Sequence, residues 1–317
     1  MATLSTATTN FSSTVVALVA RRVEEALRAN YPHVMPGNFT PGEASIADGY
    51  NSLTYVGYAD LAATTTALTE GTAPTDQALT IAVDQATATQ IGNTVAITDL
   101  ADLQSPHRLI SVAADKVADQ AVKSFDTLVR EILAAGASVQ YAGTATSRAT
   151  VATSHVLTGA LVKKMYTLLS RTNVPKFGDG FYRAIVHPDS LYDLQTDTAN
   201  GGWIDVWKYT DNRPLLTNEV GSFGGVRFQI SSQAKVFATA GASSANVYSA
   251  HFFGPDSYVV GDMQTIRTYF VPPGGDHSDP IAQKALVGWK TAFGCMLLDA
   301  QGPRYVRLEH GTTLNLG

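Results

Sequence analysis

The stretch PHRLISVAADKVADQAVKSFDTLVREILAAG, Pro106–Gly136, decides how the rest of the chain is read. Ser105 is placed to cap its N-terminus, Pro106 suits a first helical position, and Gly136 suits the stop. Leu109, Val112, Val117, Ala121, Phe125, Leu128, Val129 and Ile132 recur at spacings of three to five and make one apolar stripe. A helix of about 30 residues spans roughly 45 Å. One that long and one-sided predicts the backbone of a fold.

Upstream of it, residues 50–99 alternate as strands do. Tyr50–Asp60 carries Leu53, Tyr55 and Val56, and Leu79, Ile81 and Val83 alternate before a further run, Ile91–Thr98. Gly71 and Pro74 punctuate the segment between. The pattern predicts a long hairpin with a polar, Thr-rich tip. Its arms hold few large apolar residues, and two-stranded ribbons are marginal alone in water, so it needs a partner surface. Further upstream, residues 1–49 read as an arm. A helix is predicted over Ser13–Ala29, a boundary falls at Tyr31 before Pro32, and the aperiodic His33–Gly49 must lie on something else.

Downstream, Thr158–Thr172 predicts a second amphipathic helix, and Phe181–Pro188 a strand running into a short helix with Leu191, Tyr192 and Leu194. From Trp203 the chain turns to strands: GGVRFQIS, NVYSAHFFG, SYVVGD and IRTYFV, then KALVGWKTAFGCMLLD and RYVRLEH. Trp289, Phe293 and Met296 are the candidate packing anchors of the longest run. The class is α+β, with helices early and mixed strands late.

Composition narrows the function. The 317 residues are 45% hydrophobic and 15% charged, so a substantial core is possible and the surface is poorer in charge than usual. Burial of that surface against other subunits is one explanation. The net charge is −5 and no strongly basic run occurs, which leaves sequence-specific nucleic-acid binding without its footprint. Val15–Ala20 is too short for an export signal and is followed by Arg21 and Arg22, and no run reaches the ~18 apolar residues of a membrane span. A soluble, unexported protein is expected. Cys295 sits in an apolar run and reads as packing.

The candidate chemistry is thin. Asp276, His277 and Asp279 fall close together, as metal ligands can, but Gly274-Gly275 before them and Pro280 after them predict a turn. No H-E-x-x-H or similar spacing supplies further ligands. Gly288-Trp289-Lys290-Thr291 lacks the glycine that a phosphate loop needs before its lysine, so Lys290 reads as a strand residue facing solvent or a neighbour. There is no G-x-S-x-G elbow, and Gly221–Phe228 is not a dinucleotide loop. His187-Pro188-Asp189 closes a strand and opens a helix, where Asp189 is expected to cap. Glu24, Glu25, Asp99 and Asp102 read as solvated or capping carboxylates. No catalytic, cofactor-binding or metal residue is assigned.

Arm, protruding hairpin, long helix and strand-rich remainder, in that order, resemble the major capsid proteins of tailed phages, which share the Hong Kong 97-type fold. LTEGTAPTDQALT with IGNTVAITDL resembles the hairpin and its exit in one branch of that family. YRAIVHPDSLYDLQTD, NEVGSFGGVRFQISS and DPIAQKALVGWKTAFGCMLL resemble later blocks in the same order, and Ile91 stands where that branch often has an aromatic. The resemblance covers roughly residues 50–300. It implies an N-terminal arm at 1–49, an extended hairpin loop at 50–99, and a spine helix and peripheral domain at 100–180. An axial domain with peripheral-domain strands follows at 181–300, and a C-terminal strand and tail at 301–317.

It further implies a non-enzymatic coat subunit without cofactors, assembled with itself as pentamers and hexamers of an icosahedral head. Hairpin and arm would lie over adjacent copies in heterologous contacts. Gly136–Ser154, rich in Thr and Ala, would supply a flexible joint. Scaffolding, portal and decoration proteins are the accessory partners implied, with double-stranded DNA enclosed without sequence specificity and no membrane. The expected location is the virion, after assembly in the host cytoplasm. Two alternatives stand beside it: the shell of a cellular nanocompartment with the same fold, and a metal-dependent enzyme built on Asp276, His277 and Asp279.

Overall fold

The apolar stripe of the long helix is buried along most of its length, as its period requires. The computed structural model describes residues 31–35, 37–41, 52–58, 61–68, 70–71, 73–74, 76–106, 109–198, 219–275, 279, 281–298 and 304–314, with Ala17 and Arg21. The predicted helix over Ser13–Ala29 therefore lies outside the described residues, apart from helical Ala17 and Arg21.

In chain order the first elements are β1 (Thr40–Pro41), β2 (Ser52–Tyr58), β3 (Ile81–Thr87), β4 (Thr89–Thr98), α1 (Asp99–Gln104) and α2 (Leu109–Ala135). Then come β5 (Val139–Tyr141), α3 (Gly159–Arg171), β6 (Tyr182–Val186), α4 (Pro188–Thr196), β7 (Glu219–Phe223) and β8 (Val226–Ile230). The chain closes with β9 (Val236–Phe237), β10 (Val247–Phe253), β11 (Tyr258–Val271), β12 (Lys284–Leu297) and β13 (Tyr305–His310). SYVVGD and IRTYFV, expected as two strands, form the single strand β11, with register shifts between Asp262 and Arg267 where the break was expected.

Two layers make the first body. The sheet β1-β11-β12-β4 carries α2 on one face. Along β12 the odd positions Val287, Trp289, Phe293 and Cys295 point at the helix, where Val117, Ala121, Phe125 and Val129 meet them. Phe125 stacks 4.9 Å from Phe293 and 5.8 Å from Trp289 between ring centroids. Each such side chain contributes about 1.5–3 kcal/mol by leaving water. On the opposite face Val259, Met296 and Leu298 hold Leu53, with Tyr55 and Ala86 packed beside them, at the base of the antiparallel β2–β3 ribbon. The remaining run of the expected hairpin segment, Ile91–Thr98, lies in β4 and pairs with β12 rather than with the ribbon.

Helix ends depart from expectation. The Pro106 start is replaced by a separate short helix: α1 is capped by Thr98, and Ser105 ends it instead of opening α2. The Asp102 carboxylate then accepts from the Leu109 amide (3.1 Å), one of the first-turn donors of α2 that has no intrahelical partner. Gly136 does follow the last helical residue, for reasons of space. A Cβ there would stand 2.8 Å from Leu297 Cδ1 and 3.0 Å from Tyr305 Cε1.

The second body is the sheet β5-β13-β10-β6-β8-β7, with β9 added to β10, and α3 and α4 pack on it. Its inner strands β6, β10 and β13 are buried throughout, and the polar residues among them, such as His251 and Glu309, are paired with other side chains: His251 with the Tyr305 hydroxyl and Glu309 with Arg307. Met165 and Leu169 of α3 fill the core against Tyr182, Phe228 and Phe252. The connection Gly136–Ser154, expected to be a flexible joint, is tied down within the subunit. Its strand β5 pairs with β13, and Arg148 forks onto the buried Glu309 carboxylate at 2.6 and 2.9 Å.

Residues 31–35 and 37–41 of the expected arm lie on their own subunit. The Pro32–Val34 turn sits against α2. There the fully buried His33 and Asp126 face each other, with Nδ1 3.0 Å from both carboxylate oxygens and the His33 amide donating to the same group. The Tyr258 hydroxyl donates to the His33 carbonyl (2.9 Å), and Thr40–Pro41 adds a parallel edge to β11.

Candidate functional site

The expected chemistry does not assemble among the described residues. Asp276 and His277 lie outside them. Asp279 is buried, and its carboxylate accepts from the Lys284 amide (2.8 Å) while its carbonyl accepts from the Ala282 amide (3.2 Å), so it closes a turn at the head of β12. Before Asp279, Gly274 at φ +80° follows Pro273, and the Gly275 amide donates to the Pro272 carbonyl, a tight turn of the Pro-Gly kind. Among the described residues no group of three or more His, Cys, Asp or Glu could hold a metal ion.

At His187-Pro188-Asp189 the cap is the histidine, not the aspartate. His187 Nδ1 accepts from the Asp189 amide (3.2 Å), and burial holds its pKa below the usual value, which keeps the accepting form. Asp189 instead accepts from the Tyr248 hydroxyl (2.9 Å). Asp99 and Asp102 both serve as local acceptors, for the Leu100 and Leu109 amides. Cys295 is buried in the main core, and that burial pushes its thiol up to about 12. Such a thiol is inert.

The feature that stands out is a surface. In the β2–β3 ribbon, Val56 pairs with Val83 and Tyr58 with Ile81 across the strands. These four side chains share one face and are 50–59% exposed. Directly paired apolar side chains are the unit that stabilises a sheet, yet here their outer side meets only water. Leu61, Leu68 and Leu79 beyond them are also exposed, and residues 61–68 and 76–80 have no regular structure. Among the described residues the ribbon is held at its root, by Leu53 against Val259, Met296 and Leu298. Leu100, Leu103, Val112 and Ile281 add further exposed apolar side chains around α1, an element sequence reasoning missed. The Asp-Leu-Ala-Asp-Leu repeat after Thr98 was the available signal, a capping residue followed by helix formers.

A face of this kind is an interaction site by default, since monomers rarely display a contiguous apolar patch without a partner. Among the described residues no helix is long and apolar enough to cross a membrane.

No protein-family model matches the chain, and no curated protein matches it. Solved structures do. The capsid of Ralstonia phage GP4 matches with a TM-score of 0.68 at 15% identity, covering 84% of each chain. The capsid of cyanophage Pam1 matches with a TM-score of 0.67 at 15% identity, over 87% of this chain and 88% of that one. A virus-like particle from Pyrococcus furiosus matches with a TM-score of 0.52 at 10% identity, over 94% of this chain and 99% of that one. At such identities the likeness concerns architecture. The chain has the fold of these phage capsid proteins, the Hong Kong 97-type capsid fold.

Proposed function

We propose that this chain is the major capsid protein of a tailed phage, the repeating subunit that self-assembles into an icosahedral head. One observation carries the proposal beyond the fold: the ribbon presents an apolar face that nothing described in its own subunit covers. A second copy supplies the missing layer, and a chain that both offers and receives such a ribbon propagates into a closed lattice.

In this reading residues 1–49 form the arm and 50–99 the extended hairpin loop with its exit strand. Residues 100–180 form the spine helix and peripheral domain, 181–300 the axial domain with peripheral-domain strands, and 301–317 the C-terminal strand and tail. The subunits gather as pentamers and hexamers around double-stranded DNA held without sequence specificity. Scaffolding, portal and decoration proteins are the accessory partners, the role is structural rather than enzymatic, and the site of assembly is the host cytoplasm.

Electron microscopy and sedimentation of the purified chain with its phage partners test this. Closed icosahedral particles are expected. A chain that stays monomeric at high concentration with those partners would contradict the proposal. A nanocompartment shell is the second reading, supported by the extent of the match to the virus-like particle. Particles that enclose an enzyme in place of DNA would favour it.

A further inference from the structure

We propose that residues 31–35 and 37–41 form a strap that fixes the angle between the two bodies, with Asp126 and Arg183 as its anchors. Its consequence for shell curvature rests on the shell-subunit reading above.

The directional contacts between the bodies gather at one end of α2. There the Tyr305 hydroxyl donates to the Leu133 carbonyl (2.6 Å), and the Arg307 guanidinium donates to the carbonyl of Ala134. One helical turn earlier, Arg130 donates to the Gln233 carbonyl (2.7 Å). Ile185 and Phe253 of the second body also enter the main core, but apolar contact is non-directional and fixes no angle. A joint confined to one helix end is a hinge, and a second attachment away from it removes that freedom.

The strap is that second attachment. It runs from the Pro32–Val34 turn against α2 to the edge strand β1 on β11, and between them it reaches β6 and β8 of the other sheet. On the α2 side Asp126 is fully buried, and its carboxylate's partners among the described residues are the His33 amide and His33 Nδ1. On the other side Arg183 of β6 is 9% exposed and pairs with no carboxylate among the described residues. Its Nη1 donates instead to the Gly37 carbonyl (2.6 Å) and to Asn38 Oδ1 (2.7 Å). Asn38 closes the set. It is buried, and its side-chain amide donates to Gln229 Oε1 on β8 and to the Pro32 carbonyl at the start of the strap, both at 2.7 Å.

Each body therefore hides one ionisable side chain of opposite sign, and the strap supplies polar partners to both. A buried charge stripped of its partners is strongly unfavourable, so both anchors are satisfied only with the strap in place. Such bonds are directional and specify one geometry. The apolar grip is small by comparison: Val34 enters the main core fully, and Tyr31 and Phe39 only in part. A segment held by geometry rather than by area can let go as a unit, which leaves the helix end as the directional joint. In a shell the angle between the bodies decides how far neighbouring subunits turn out of one plane. A released strap admits more than one curvature.

The test uses the full chain with one spin label on each body, introduced by Lys116→Cys in α2 and Lys164→Cys in α3, both exposed. The buried Cys295 does not react. Double electron–electron resonance reads the distance between the labels, and the unaltered strap should give one. Asn38→Ala removes three bonds and should add a second population above ~10%, with circular dichroism unchanged. Its shells should spread over several diameters in electron micrographs where the parent gives one. A folded variant that keeps the single distance would overturn the inference. If Asn38→Ala does not fold, Asn38→Leu with Arg183→Met decides in the same way, because it removes both polar partners and keeps the space filled. Failure of both to fold would make the segment plain core and overturn the strap. A second distance with shells of a single diameter would overturn the link to curvature. Absence of shells from the unaltered chain would remove the shell reading and leave the distance result to decide the strap by itself.

Discussion

Two alternating strands of this chain have the same pattern and opposite surroundings. In β12, Val287, Trp289 and Phe293 share one face, with buried Thr291 between the last two, and disappear under α2. In β3, Ile81 and Val83 likewise share one face and remain in water. The period-2 pattern says only that one face wants a cover. For β12 the cover is a helix 27 residues long in the same subunit. For β3 nothing among the described residues of the subunit supplies it, and that difference separates the self-sufficient body from the element whose cover, in the proposed reading, is another copy.

The contrast breaks first, and most, in the body. Phe293→Ala removes a ring 4% exposed that stacks on Phe125, and the fold should lose about 3–5 kcal/mol in chemical denaturation. A loss below ~1 kcal/mol would mean that β12 and α2 do not form the main core.

Acid sharpens the same division. His310 is fully buried, and desolvation lowers its pKa to about 4, with the Gly311 carbonyl at 2.7 Å opposing that shift. In the unfolded chain it titrates near ~6.5, so the unfolded state binds the proton more readily. Stability is therefore full above about pH 6.5 and declines as the pH falls toward 4, by up to ~3 kcal/mol from this residue. His251, also driven well below its usual value by burial, acts in the same direction. Residues 50–99 contain no histidine, so this histidine-driven slope belongs to the body and not to the ribbon. His310→Gln should flatten it, measured by denaturation at several pH values. An unchanged slope would place the acid sensitivity elsewhere.

The smallest effect on the fold belongs to the ribbon. Val83→Ser should change monomer stability by no more than ~0.5 kcal/mol, since the side chain is already in water. The same variant should assemble poorly in scattering assays.

What the sequence made legible follows the same line. The stripe of α2, the strands β12 and β13 and the helix after Pro188 are readable because each is a local pattern serving a nearby core. The expected packing anchors Trp289, Phe293 and Met296 are all buried, Met296 on the face opposite the other two. The hairpin is legible as a segment short of a partner. Pairings far apart in sequence are not. His33 meets Asp126 across 93 residues, and nothing local marks either as half of a pair. Nor does the sequence separate β4 from the ribbon, because a single residue, Ala88, lies between a strand of the hairpin and a strand of the body. The helix boundary at Ser105 is misplaced because Ser-Pro suits a helix start, while Thr98 caps α1 through the Ala101 amide and Asp102 takes the Leu109 amide of α2.

The most direct measurement places a thiol on the ribbon. Ile81→Cys puts it at an exposed position, and the native Cys295, buried with its thiol pushed up to about 12, stays silent. A maleimide reagent should label residue 81 quickly in the monomer and at least ~10-fold more slowly in assembled particles, as the second copy covers it. Equal labelling in both states would contradict the claim that the ribbon's apolar face is completed by a neighbouring subunit.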